Sequence, residues 1–115
     1  MSLQRKAEGL GNIEMEYQIL NSQEADAAEI LQLQYADYQR EAEIHGDFTI
    51  QPLTQTLDEL VSEYQKGVVL KAVKGGIIIG SARAYAEDTT VYIGKLMVHP
   101  EHQGKGLGKR LLTAI

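Results

Sequence analysis

The apolar positions of this 115-residue chain change their period along its length, and the changes mark out its elements. Ile13, Met15, Tyr17 and Ile19 alternate with Glu14, Glu16 and Gln18, a period of two that predicts a strand over 13–20. Asn21-Ser22-Gln23-Glu24 has the form of a capping box. Leu31, Tyr35, Tyr38 and Ala42 then recur at helical spacing. Gly46, in His45-Gly46-Asp47, can close that helix in a left-handed cap. Residues 48–55 read as a loop, with Pro52 discouraging helix at Gln51. Thr56-Leu57-Asp58-Glu59 is a second capping box, and Leu57, Leu60, Val61 and Tyr64 give a short amphipathic helix stopping near Gly67. Strands are predicted over 68–73, 77–86 and 91–98. They are joined by turns at Gly75-Gly76 and Glu87-Asp88-Thr89, and Gly94 hints at a bulge or a close backbone approach. A glycine-rich stretch follows, then a third helix that is still apolar at Leu111-Leu112-Thr113-Ala114-Ile115, so the chain is expected to be cut within that helix. Residues 1–12 are polar, hold two glycines and are expected to form a flexible arm ahead of one domain over 13–115.

Composition narrows the class without naming it. The chain is 43% hydrophobic and 23% charged, ordinary for a globular domain. With no cysteine it can hold neither a disulfide nor a thiolate-bound zinc, which fits a cytoplasmic setting. A formal net charge of -5 argues against a nucleic-acid partner. No apolar run approaches a membrane span, and the N-terminus lacks the pattern of a signal peptide. The basic residues Lys105, Lys109 and Arg110 nevertheless cluster, a local positive spot suited to a small anionic ligand.

That cluster coincides with Gln103-Gly104-Lys105-Gly106-Leu107-Gly108, which follows a strand and opens a helix. A helix start offers unpaired N–H groups and partial positive charge, and glycines let several N–H groups turn toward one anion. A phosphate is the natural ligand. The Walker pattern fails because Lys109 stands five residues after Gly104, followed by Arg110. The dinucleotide pattern fails because Lys109, or Leu111 when started at Gly106, takes the place of the third glycine.

Gln103-x-x-Gly106-x-Gly108 resembles the Arg/Gln-x-x-Gly-x-Gly/Ala signature of the GNAT superfamily of N-acetyltransferases. Leu96-Met97-Val98-His99-Pro100-Glu101 looks like the end of that family's fourth strand, and Lys109-Arg110-Leu111-Leu112 like the start of its third helix. The resemblance is specific over residues 93–112 and topological before them. It implies an α/β (α+β) fold, a mixed, mainly antiparallel sheet flanked by helices, of which the C-terminal part is missing here. It implies acetyl-CoA as co-substrate, with backbone N–H groups of Gln103, Gly104, Lys105, Gly106, Leu107, Gly108 and Lys109 on the pyrophosphate. Met97 and Val98 would pair with the pantetheine arm, Met97 being the donor that polarises the thioester. The activity implied is acetyl transfer to a primary amine, on a small molecule or a protein, by direct attack in a ternary complex; homodimers are common in the family.

The remaining roles are less defined. Glu87 and Tyr92, with Asp88 beside Glu87, are the candidates for removing the amine's proton; the family's frequent fourth-strand glutamate is replaced here by Tyr92-Ile93-Gly94-Lys95. Pro52, Leu53 and Gln55 fall in the loop that bounds the acceptor site in the family. His99 and His102 lack a third metal ligand, so no metal is expected. Tyr35 and Tyr38 serve the core before they serve a substrate. Two rival readings are a non-catalytic acyl-CoA-binding or regulatory module and a nucleotide-phosphate domain of another fold, which would carry a parallel sheet in place of the Gly75-Gly76 hairpin.

Overall fold

In a computed structural model the protein is described over residues 17–115. The expected arm, and the first residues of the first predicted strand, lie outside the described residues. Strand β1 is Gln18–Asn21, followed by a 3-10 turn and helix α1, Ala27–His45. A single helical turn, Gln51–Thr54, precedes helix α2, Leu57–Lys66. Three strands follow: β2 (Val68–Lys74), β3 (Ile77–Glu87) and β4 (Thr90–Val98). A 3-10 turn, Pro100–His102, leads to helix α3, Leu107–Ala114. The sheet has the order β1-β2-β3-β4, and all of its pairings are antiparallel.

Local chemistry explains most boundaries. Gly75 and Gly76 both take positive φ, 60° and 79°, as a two-residue hairpin turn demands. Gly46 ends α1 in the left-handed region. At α2 the Thr56 hydroxyl accepts the Glu59 N–H and the Glu59 carboxylate accepts the Thr56 N–H. Two expectations are corrected. The first capping box is displaced by two residues: the Gln23 N–H donates to Asp26, so the chain winds through one 3-10 turn before α1. Pro52 does not prevent helix. It occupies the first turn at Gln51–Thr54, where a missing N–H is no loss, and it is Ile50 that stays extended.

Two apolar layers sandwich the sheet. On one face Val69, Ile78 and Met97 meet Ala27, Ile30, Leu31 and Leu33 of α1 and Leu60 of α2. On the other, Leu70, Ala72 and Ala82 meet Leu107 and Leu111 of α3. Gly80 makes the second contact possible, since a Cβ there would stand 3.1 Å from the Met97 carbonyl and 3.3 Å from a Leu111 methyl. Leu57, expected on the inner stripe of α2, is 42% exposed.

One irregularity shapes the site. Arg83 pairs with Lys95 but Ala84 pairs with Ile93, so Gly94 is the extra residue of a β-bulge. The bulge re-aims the outer half of the β3–β4 hairpin relative to the half that carries Met97.

Candidate functional site

The end of β4 sets the geometry. His99 donates to the Ile79 carbonyl at 2.8 Å, in register with the pairs Gly80–Val98 and Ser81–Met97. Antiparallel ladders alternate bonded and non-bonded pairs, so Met97 exchanges its hydrogen bonds with Ser81. The N–H and C=O groups of Leu96 and Val98 therefore point away from β3, along the open edge of β4. The expected donor Met97 is corrected on this ground: its N–H lies in the ladder, and its side chain, 1% exposed, is core.

The glycine loop abuts that edge. Gly104 and Gly106 take φ of 81° and 77°, a conformation that side chains resist, and a Cβ at either would meet no atom. The first intrahelical bond of α3 runs from the Arg110 N–H to the Gly106 carbonyl at 3.1 Å, which leaves the preceding N–H groups of the first turn without helical partners. Leu107 and Leu111, at 1% and 0% exposure, root α3 in the sheet and fix where those groups aim. A Cβ on Gly108 would sit 3.8 Å from Leu96 and 4.0 Å from Val98, ordinary contact for a methyl. Lys105 and Lys109 are exposed beside them. Gln103 departs from the expected cradle in one respect: its N–H is directed at Pro100 (3.5 Å), and its side-chain amide donates to the Val98 carbonyl at 2.9 Å. Leu96, Val98, His102, Gln103, Gly104 and Gly106 to Gly108, together with Asp37 of α1, enclose a cleft of about 300 Å³.

A second cleft, of about 710 Å³, opens where α2 and the turn before it face β3 and the bulge. It brings together Gln55 and Glu87 among the expected residues, and adds Glu59, Glu63, Arg83 and Gly94. Pro52 and Leu53 stand behind it, half-buried; the Pro52 carbonyl accepts from Gln34 at 2.8 Å. Tyr92 is exposed and stacks on Tyr85, ring centroids 5.1 Å apart. Tyr92 is four residues from Leu96, and Glu87 pairs with Thr90, six residues from it. At about 3.3 Å per residue these are roughly 13 and 20 Å along the sheet. Neither expected proton acceptor is brought to the Leu96–Val98 edge.

Sequence reasoning missed the buried polar cluster at the base of this cleft. Arg83, 3% exposed, pairs with Glu63 at 3.3 Å and donates to Gln34 and, at 3.4 Å, to Gln55. Gln55 in turn donates to Glu63 and accepts from Gln34 at 3.0 Å. Burial pulls the proton affinity of the guanidinium down, and Glu63 pulls it back up. Its Nε–H is buried and has no hydrogen-bond partner among the described residues. Lys95, across the strand pair, is lowered by burial first and by Arg83 second. The signal for this cluster was slight: Gln34 is a polar residue set between Leu31 and Tyr38 on the buried stripe of α1.

The two histidines have structural partners. His99 Nδ1 accepts the Glu101 N–H at 3.1 Å, and His102 Nδ1 shares a hydrogen with the Tyr17 hydroxyl at 3.0 Å. Among the described residues, no three His, Asp or Glu side chains converge as metal ligands, and no helix is long and apolar enough to cross a membrane.

Comparison with known proteins bears on the family and the fold. The family model described as acetyltransferase (GNAT) family matches residues 27–115. A search of curated proteins finds no significant match. Among solved structures, the PaiA N-acetyltransferase of Thermoplasma acidophilum, in complex with coenzyme A, is similar with a TM-score of 0.73 at 16% identity, over 87% of this chain and 69% of its own. A GNAT family acetyltransferase of Brucella melitensis in complex with acetyl-CoA gives 0.64 at 22% identity, over 86% and 65%. The yncA protein of Salmonella typhimurium, with its cofactor acetyl-CoA, gives 0.63 at 26% identity, over 86% and 60%. The chain thus spans 60 to 69% of the length of these three structures.

Proposed function

The chain belongs to the acetyltransferase (GNAT) family, and on that premise we propose that it takes acetyl-CoA as co-substrate and transfers the acetyl group to a primary amine by direct attack, in the cytoplasm. The observation that carries this reading is the meeting of the outward backbone edge of Leu96 and Val98 with the start of α3 in one cleft. Free N–H groups from Gly104 to Lys109, with Lys105 and Lys109 beside them, suit the pyrophosphate. The strand-like edge suits the amide-bearing pantetheine arm, much as an added strand is held.

On this reading the outward N–H groups of Leu96 and Val98 take the role first expected of Met97. One of them would donate to the thioester oxygen, where negative charge grows as the amine attacks, and a donor fixed in a sheet costs nothing to reorganise at that moment. The acceptor would enter from the larger cleft, beside Gln55 and past Gly94. Glu59, Glu63 and Glu87 line that cleft against Lys66 and Arg83, a lining with an excess of negative charge that favours a cationic amine. The incoming ammonium must lose one proton before attack and a second as the C–N bond forms and the C–S bond breaks; the thiolate takes one and solvent the other. On this reading Glu63 would relay the first. It is bonded to Arg83, the cross-strand partner of Lys95, one residue from Leu96.

Calorimetric titration with CoA tests the ligand, with binding expected and its absence contradicting the reading. Thiol release from acetyl-CoA in the presence of a diamine tests the chemistry; a CoA-binding protein that releases none is a regulatory module.

A further inference from the structure

Asp37 is a carboxylate on the wrong side of an anion site. It stands in the middle of α1, half-buried, and lines the cleft of Leu96, Val98 and the glycines of the loop. A phosphate cradle gains nothing electrostatically from a fixed negative charge facing it. The hydrogen bonds show another use. The side-chain amide of Gln103 has two N–H groups; it donates to the Val98 carbonyl at 2.9 Å and to Asp37 Oδ1 at 3.4 Å. One amide thus ties the first residue of the loop to the end of β4 and to α1.

Resting on the CoA reading above, we propose that Asp37 is a positioning residue of the CoA site: its carboxyl group anchors Gln103, and with it the start of the glycine loop, and binding of the anionic ligand draws a proton onto that carboxyl. A protonated carboxyl keeps an oxygen for Gln103 while shedding the charge that opposes the phosphates. Its surroundings favour this. Burial holds its proton affinity above the usual carboxylate range, and Glu41, one turn along α1, adds to the effect; Arg40 of α1 and His99 of the turn after β4 work against it. From the loop and turn side, His102 also lines the cleft and Lys105 lies beyond it. The residues that β4 contributes to the cleft, Leu96 and Val98, carry no titratable group.

The test is calorimetric titration of the full chain with CoA, from about pH 8 to about pH 5.5, for the parent protein, Asp37→Asn and Asp37→Ala. Asparagine keeps an acceptor oxygen for Gln103 and removes the charge; alanine removes both. Asp37→Asn is expected to bind CoA about three- to tenfold tighter than the parent at the higher pH, the range expected for one charge near a pyrophosphate in a partly hydrated cleft. That advantage should shrink steadily as the pH falls. Both proteins carry His99, His102 and the ligand's own phosphates, so the difference between them reports on the Asp37 charge and the groups it faces. Asp37→Ala should bind severalfold more weakly than Asp37→Asn at every pH. Equal affinity of parent and Asp37→Asn across the range overturns the proton linkage, and equal affinity of the two variants overturns the anchoring. No CoA binding by the parent overturns the CoA reading itself, and this proposal with it.

Discussion

The two clefts on β4 are built from different materials. The smaller one is made of main chain: outward amides of Leu96 and Val98, and N–H groups freed where α3 begins. Its rigidity comes from Leu107 and Leu111 beneath it and from two glycines with positive φ. The larger one is made of side chains. Arg83, Glu63, Gln55 and Gln34 come from β3, α2, the segment before it and α1, and hold one another in place. A main-chain site binds a constant chemical group through atoms that most substitutions cannot remove. A side-chain site can change its ligand by changing one residue. On the proposed reading, the CoA arm takes the first cleft and the acceptor the second.

The strongest way to break the first half of this contrast is proline along β4. Met97→Pro removes a ladder hydrogen bond beneath a buried side chain and is expected to be strongly destabilising, read by denaturant unfolding. Val98→Pro removes only an outward N–H on an edge, where proline is tolerated, and should instead weaken CoA binding about tenfold with far less change in stability. A larger loss of stability for Val98→Pro than for Met97→Pro would show that the ladder alternates the other way, and equal losses would contradict the contrast.

The second half turns on Arg83. Arg83→Ala leaves Glu63 and Gln34 without their cation and is expected to cost about 3 kcal/mol, the usual result of breaking a buried pair. Lysine should recover part of it. CoA affinity of the folded variant should hold, because the clefts share no side chain.

Smaller effects sharpen the contrast. Gly106→Ala forces a side chain into the left-handed region and is expected to cost about 1 kcal/mol, with CoA binding weakened too, as both depend on one backbone conformation. The smallest effect concerns pH. The folded protein holds the Asp37 proton more tightly than its ordinary value of 3.8. Its contribution to stability is therefore full below about pH 3.8 and is lost as the pH rises through the raised folded value. Asp37→Asn should flatten that slope in thermal melting and leave the protein more stable than the parent at neutral pH.

What the sequence revealed follows the same division. Gly75-Gly76, Thr56 with Glu59, Gly46 and Gly94 each stated its own local conformation, so the hairpin, the start of α2, the end of α1 and the bulge were legible. The phosphate loop was legible because glycine spacing and a helix start are local signals. The outward direction of Leu96 and Val98 was not. It depends on the parity of the β3–β4 register, which the bulge sets and which Met97, as an apolar strand residue like its neighbours, does not betray. Arg83 looked like an ordinary polar residue in strand alternation, and its partners lie 20, 28 and 49 positions away. Glu87 and Tyr92 were chosen for chemistry in the right hairpin, but at its far end.

Amide hydrogen exchange on the chain with and without CoA tests the central claim most directly. The account predicts slowed exchange confined to Leu96, Val98 and residues 104–109, with Met97 already slow in the absence of ligand. Protection centred on Arg83 and Gln55, or an outward amide at Met97 that slows only when CoA is added, would contradict it.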